Sequence, residues 1–217
     1  MIFDLDGTLV ETEQVWAEVR REFALAHGGR WRDDAQATMM GMSSKGWASY
    51  LHDELGVAMS PDEIEEYVVD AMTERFAQSV PKLPGADDAL AALQRDYPLA
   101  IATSAPLRVA RAAIARAGWN AVFPVVVSAD QVARGKPWPD VYLRALDELR
   151  GDAAKSAAVE DSTNGIRSAY AAGLRVVAIP NREFTPAHDA LALAALILPS
   201  LEGLDPAAIR TLLERRE

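Results

Sequence analysis

The sequence predicts an α/β protein: a parallel sheet flanked by helices, with a helical segment inserted after the first strand. Three observations carry this. Short apolar runs of strand length alternate with amphipathic, helix-length segments through the middle and end of the chain. About seventy residues after the first run carry helical patterns only, far too many for a connection in a compact sheet. Acids, hydroxyls and a lysine follow directly on the apolar runs, where a parallel sheet gathers its loops at one edge.

The expected strands are Ile2–Asp4, Leu99–Thr103, Val125–Ser128, Ala157–Glu160, Val176–Ile179 and Ala195–Leu198. Between most of them lie expected helices over Ala86–Arg95, Leu107–Ala117, Pro139–Arg150 and Asn164–Ala172. The insert reads as helices over Glu13–Ala26, Asp34–Met40, Lys45–Leu55 and Pro61–Ser79. The last opens with Ser60 as N-cap, Pro61 at the first position and Glu63 at the third. These patterns divide the chain into a sheet domain, residues 1–11 with 84–217, and a helical subdomain, residues 12–83. Only Met1, Ile2 and Phe3 precede Asp4, so the first strand is expected either to continue upstream or to fray.

Composition excludes several functions. With 217 residues, half of them hydrophobic, and a net charge of −10, the chain lacks the basic face that nucleic acid or an anionic membrane requires. It has no cysteine, hence no thiolate nucleophile, disulfide or cysteine-based zinc site. The longest apolar run, Ala190–Leu198, is too short to span a bilayer, and the expected location is cytoplasmic. His27, His52 and His188 show no metal-ligand spacing, and Trp31, Trp47 and Trp119 read as packing residues.

Four strings stand at expected strand ends or in the loops beside them. Asp4 and Asp6, spaced i and i+2 and followed by Gly7 and Thr8, can share a rim if the chain bends at Gly7. Two crowded carboxylates repel unless a divalent cation or a shared proton lies between them. Thr103, Ser104, Ala105 and Pro106 hand a strand to a helix; proline at the first helical position would leave backbone N–H groups beside two hydroxyls, which suits an anion. Lys136 is held between Gly135 and Pro137. Glu160 and Asp161 end a strand and lead through Ser162, Thr163, Asn164 and Gly165 into a helix. Taken singly, each string is an ordinary turn or helix cap; their conjunction at one sheet edge points to phosphoryl chemistry.

The ordered set resembles the four motifs of the haloacid dehalogenase superfamily of phosphohydrolases, and the helical insert resembles that superfamily's cap. The likeness is greatest to the branch of β-phosphoglucomutase and phosphoglycolate phosphatase, through Phe3–Leu9, the Gly-Lys-Pro-x-Pro-Asp string ending at Asp140, and the string from Val159 to Ile166. The resemblance implies a Rossmann-like core and a Mg²⁺-dependent phosphatase acting on a small phosphorylated metabolite. Asp4 is the implied nucleophile, and Asp6 the acid/base whose backbone carbonyl also ligates metal. Thr103, with the neighbouring backbone N–H groups of Ser104 and Ala105, is the implied phosphoryl binder. Lys136 screens charge, and Glu160 and Asp161 complete the magnesium site. An acid at position 6 argues for phosphate transfer over dehalogenation, which needs no leaving-group acid.

In the insert, Gly41, Ser44 and Lys45 match the substrate-contacting cap loop of sugar-phosphate members. Two departures count against a phosphomutase, the second enzyme reading. Trp16 stands where mutase-like chains carry a cap histidine, and the arginine they use on a second phosphate has no counterpart at its expected place. Glu11 stands where many relatives have aspartate. A receiver-like phospho-acceptor module is the non-enzymatic alternative; Asp6 and the segment Glu11–Leu83 speak against it, since such a domain has neither.

Overall fold

The computed structural model describes residues 1–39, 42–181 and 185–214. Strands β1 (Ile2–Phe3), β2 (Ala100–Thr103), β3 (Val125–Ser128), β4 (Ala157–Glu160), β5 (Arg175–Ala178) and β6 (Leu196–Ile197) form one sheet. Every pairing is parallel, in the order β3-β2-β1-β4-β5-β6. All six were legible as apolar runs; β3 and β4 have the expected bounds, and no end of the others differs by more than one residue.

β1 is the keystone although it has only two ladder residues. Ile2 faces Ala100 on one side and Ala158 on the other, and Phe3 faces Ile101 and Val159. Both side chains are fully buried, on opposite faces of the sheet. Of the two alternatives, fraying does not occur in this strand, because neighbours on both sides satisfy its backbone. Phe3 packs edge-on against Phe123, 6.1 Å between ring centroids.

Between β1 and β2 lie α1 (Glu13–Ala26), α2 (Ala35–Met39), α3 (Ser44–Asp53) and α4 (Pro61–Gln78). The α4 start is the capping box read from the sequence: Ser60 accepts from the Glu63 N–H, and the Glu63 carboxylate accepts from the Ser60 N–H. This helical segment leaves and rejoins the sheet layer through two antiparallel chain crossings. There Val10 bridges Lys82, the Glu11 N–H donates to the Pro81 carbonyl at 2.8 Å, and the Leu83 N–H donates to the Leu9 carbonyl at 2.9 Å.

The remaining helices are α5 (Ala86–Leu93), α6 (Leu107–Ala117), α7 (Asp140–Glu148), α8 (Thr163–Ala171), α9 (His188–Leu191) and α10 (Pro206–Glu214). α10 was not among the expected helices; Ile209 and Leu212 bury its inner face, and residues 215–217 lie outside the described ones. Phe3, Ile101, Val126, Val159 and Val177 on one sheet face share a core with α5, α6 and the inserted helices. Ile2, Ala100, Ala102, Val127 and Val176 on the other pack with α7 and α8. α4 lies against α6, where Arg108 pairs with Glu66 and Asp70, and Arg116 donates to the Gln78 carbonyl. No described helix is long and apolar enough to cross a membrane.

Phe3→Ala is expected to lower stability by about 3–5 kcal/mol, read as a reduced midpoint in urea unfolding.

Candidate active site

β1, β2 and β4 are adjacent, so their carboxyl ends bring Asp4, Thr103 and Glu160 to one edge. Lys136 arrives from the connection between β3 and α7. Its ammonium donates to Asp4 Oδ1 at 2.5 Å and to Glu160 Oε1 at 2.6 Å, and its side chain is almost wholly buried. Asp161 joins them: oxygens of Asp4, Glu160 and Asp161 lie within 4.8 Å of one another, and all three residues are buried.

Three buried carboxylates thus share one ammonium. Burial, reinforced by Glu160 and Asp6, pushes the Asp4 carboxyl up to about 8 against the pull of Lys136. Burial likewise raises Asp161 well above the usual carboxylate range. Burial alone would lower Lys136, but Asp4 and Glu160 outweigh it, so the amine stays charged. Three crowded, buried carboxyl groups that offer oxygen donors only, two of them pushed toward the protonated form, fit a hard divalent cation, magnesium before zinc.

The acids are not equivalent. Glu160 Oε1 accepts from Lys136 and the Tyr142 hydroxyl, and Oε2 from the Asp161 and Ser162 N–H groups and the Ser162 hydroxyl. A carboxylate offers about four lone-pair sites, so Glu160 is saturated and serves as the anchor that aims Lys136 at Asp4. Asp161 takes one side-chain bond, from Thr8 at 3.1 Å. Two glycines make room. A Cβ at Gly165 would fall 1.8 Å from Glu160 Oε1, and one at Gly7, whose φ is +81°, 2.2 Å from Asp161 Oδ2.

Asp6 is held apart from this cluster. Thr12 donates to its Oδ1 at 2.5 Å and Thr103 to its Oδ2 at 3.3 Å. Thr103 Oγ1 in turn accepts from the Ala105 N–H at 3.0 Å. A cleft of about 410 Å³ opens over Asp4, Asp6, Thr103, Ser104, Lys136 and Asp161. A smaller one, of about 70 Å³, continues beneath the inserted helices; it shares Asp6, Glu13 and Ser104 with the first and adds Ala105, Trp16, Arg20 and Trp47.

One local reading is corrected. Pro106 precedes α6 as its N-cap instead of opening it, and the Leu107 N–H is already taken by Asp130 Oδ2 at 3.2 Å. With the Ala105 N–H also engaged, this turn has fewer amides to offer an anion than its sequence suggested, because Asp130 on the next strand's loop competes for them.

The expected cap contacts separate. Gly41 lies outside the described residues. Ser44 is buried and Lys45 exposed, and neither is among the described residues lining the two clefts; Met42 and Trp47 take that wall. Sequence reasoning missed Glu13, Arg20 and Tyr142. Their positions are those of ordinary helix residues, and only the packing of α1 over the sheet edge and α7 under it turns them inward.

The family model described as haloacid dehalogenase-like hydrolase matches residues 1–179. The phosphorylated carbohydrates phosphatase of Thermotoga maritima is 31% identical over 175 residues, 80% of this chain and 81% of that protein. The bifunctional riboflavin kinase/FMN phosphatase of Arabidopsis thaliana is 28% identical over 183 residues; they make up 83% of this chain but about half, 48%, of that longer protein. Among solved structures, CbbY from Rhodobacter sphaeroides in complex with phosphate superposes with a TM-score of 0.86 at 30% identity, covering 96% of this chain and 97% of that one. A mutant form of it has been solved with xylulose-(1,5)bisphosphate.

Because magnesium requires ionised ligands, and Asp4 and Asp161 hold their protons to unusually high pH, binding should strengthen as pH rises. Without metal, raised carboxylates cost the fold stability as pH climbs from about 4 to about 8. Saturating Mg²⁺ is therefore expected to raise the melting temperature more at about pH 8.5 than at about pH 6, as followed by differential scanning calorimetry.

Proposed function

Since the chain belongs to the haloacid dehalogenase-like hydrolases, we propose that it is a Mg²⁺-dependent phosphatase releasing inorganic phosphate from a small phosphorylated metabolite of the sugar-phosphate kind. The observation that carries this reading is the Lys136 bridge between Asp4 and Glu160, with Asp161 alongside and Asp6 held across the cleft. Phosphorylated sugars are also what the Thermotoga relative is named for and what a form of CbbY binds.

In this reading Asp4 attacks the phosphorus of the bound monoester. The P–O bond to the metabolite breaks, and Asp6 gives its proton to the departing oxygen. Asp6, now ionised, takes a proton from a water, whose oxygen attacks the phosphorus of the aspartyl-phosphate and frees Asp4 and phosphate. Thr12 and Thr103 aim the Asp6 carboxyl throughout. Lys136 offsets the repulsion between the Asp4 carboxylate and a dianionic phosphate. Thr103 and Ser104 line the phosphoryl seat, and Ala105 the cleft beside it.

Asp4 and Asp161, with the backbone carbonyl of Asp6, are the residues that would hold magnesium; Glu160 borders the same cluster and fixes Lys136. Such an ion would supply positive charge that offsets the repulsion between these acids and an anionic phosphoryl group. We assign residues 12–83 the role of a cap that closes over the rim carried by residues 1–11 and 84–217, with the loop of Gly41, Ser44 and Lys45 at its edge. Trp16 leaves the cap without a histidine beside Asp6, which favours hydrolysis over transfer to a second sugar hydroxyl.

Release of phosphate from a panel of phosphorylated metabolites, and from p-nitrophenyl phosphate, with and without Mg²⁺, tests the reading. Asp4→Asn is expected to cut turnover by at least about 1,000-fold with an unchanged melting profile. A stable phosphoprotein without turnover would instead mark an acceptor module.

A further inference from the structure

Arg20, near the middle of α1, is buried at 6% exposure and meets no carboxylate in an ion pair among the described residues. Its guanidinium is clamped between two indoles, 4.6 Å from the Trp16 ring centroid and 5.0 Å from that of Trp47. Its one side-chain hydrogen bond among the described residues is long, Nη1 to Gln36 Oε1 at 3.4 Å, and Nε is buried with no partner. Gln36 is itself committed, donating to the Glu13 carboxylate at 2.9 Å. Burial pulls the guanidinium down to about 10, so it remains a cation at neutral pH.

A guanidinium offers five N–H donors in a planar fork. Glu13 and Asp6 attract it from beyond ion-pair distance, and burying one with its fork mostly unused is costly unless something completes it. Arg20 lines the smaller cleft, which shares Asp6, Glu13 and Ser104 with the cleft over Asp4. A molecule with its reacting phosphoryl group at Asp4 therefore extends toward Arg20. The indoles keep the fork planar and aimed, at little entropic cost on binding. Glu13, which lines both clefts, can accept hydrogen bonds from hydroxyls of such a molecule.

We propose that Arg20 is the seat of a second oxyanion of the substrate, so that the enzyme selects a phosphorylated metabolite with another phosphate or a carboxylate at its far end. This rests on the phosphatase reading and narrows its substrate class. It assigns the distal contact to α1, where the sequence pattern had pointed to the loop at Ser44 and Lys45.

The test is binding, which does not need turnover. Calorimetric titration of the Asp4→Asn protein with pentose and hexose bisphosphates, the matching monophosphates and phosphogluconate should give tighter binding to the doubly anionic ligands. Adding Arg20→Met should reduce that preference by about 100-fold or more, and Arg20→Lys, which keeps the charge but not the fork, by less. If Arg20→Met does not fold, the Arg20→Lys ratio reads the same effect. Phosphogluconate binding as well as the bisphosphates would identify the distal group as a carboxylate; weaker binding would identify it as phosphate. Equal affinity for singly and doubly anionic ligands, a preference untouched by the Arg20 variants, or no binding by any of them would overturn the proposal. Turnover of p-nitrophenyl phosphate without such a preference would leave the phosphatase reading standing alone. Arg20-dependent bisphosphate binding by a protein that hydrolyses no phosphomonoester would do the reverse.

Discussion

The buried ammonium of Lys136, set between Asp4 and Glu160, is the contact on which the catalytic edge depends. It joins positions 132 and 24 residues away along the chain, so it forms only once β1, β4 and the connection after β3 have assembled. One positive charge cannot balance three buried carboxylates, and the imbalance is what makes the edge receptive to a cation. Much around it exists to hold this arrangement. Tyr142 and Ser162 occupy the remaining sites of Glu160, Thr8 steadies Asp161, and the missing Cβ atoms of Gly165 and Gly7 leave space for both acids.

Asp6 belongs to a different environment a few ångströms along the same turn. Hydroxyls from Thr12 and Thr103 hold it, one from the start of the inserted helices and one from the end of β2. The acid/base candidate is therefore tied to both layers, whereas the nucleophile candidate is tied only to the sheet edge. Two carboxylates two residues apart can take separate chemical parts because they meet different partners, Asp4 the Lys136 ammonium and Asp6 the hydroxyls of Thr12 and Thr103.

The inserted helices do more than roof the edge. Their hydrophobic side merges with one face of the sheet, and Arg108 and Arg116 of α6 tie α4 down through Glu66, Asp70 and the Gln78 carbonyl. Exposed pairs of this kind contribute little individually, so the register of the two layers rests mainly on apolar contact. Where that contact ends, Trp16 and Trp47 wall the smaller cleft and present Arg20. Aromatic bulk thus fills this place, as Trp16 in the sequence had indicated, and a cation from α1 stands among it.

Strand runs, helix starts and motif order were legible because they depend on local rules: apolar period, capping chemistry and the bend that glycine permits. Asp4, Asp6, Lys136, Glu160 and Asp161 could be picked out in this way, since each sits directly beside a strand end or a constrained turn. Tertiary structure alone decided which of those acids is saturated and which is receptive, because lone pairs are used up by donors distant in sequence, such as Tyr142 and Lys136. It also decided that the amides before α6 are already engaged by Thr103 and Asp130. Arg20 has only Trp16, one turn earlier on α1, as a local signal: its meaning comes from burial against the Trp47 indole of α3 as well, and burial is a property of packing, not of sequence position.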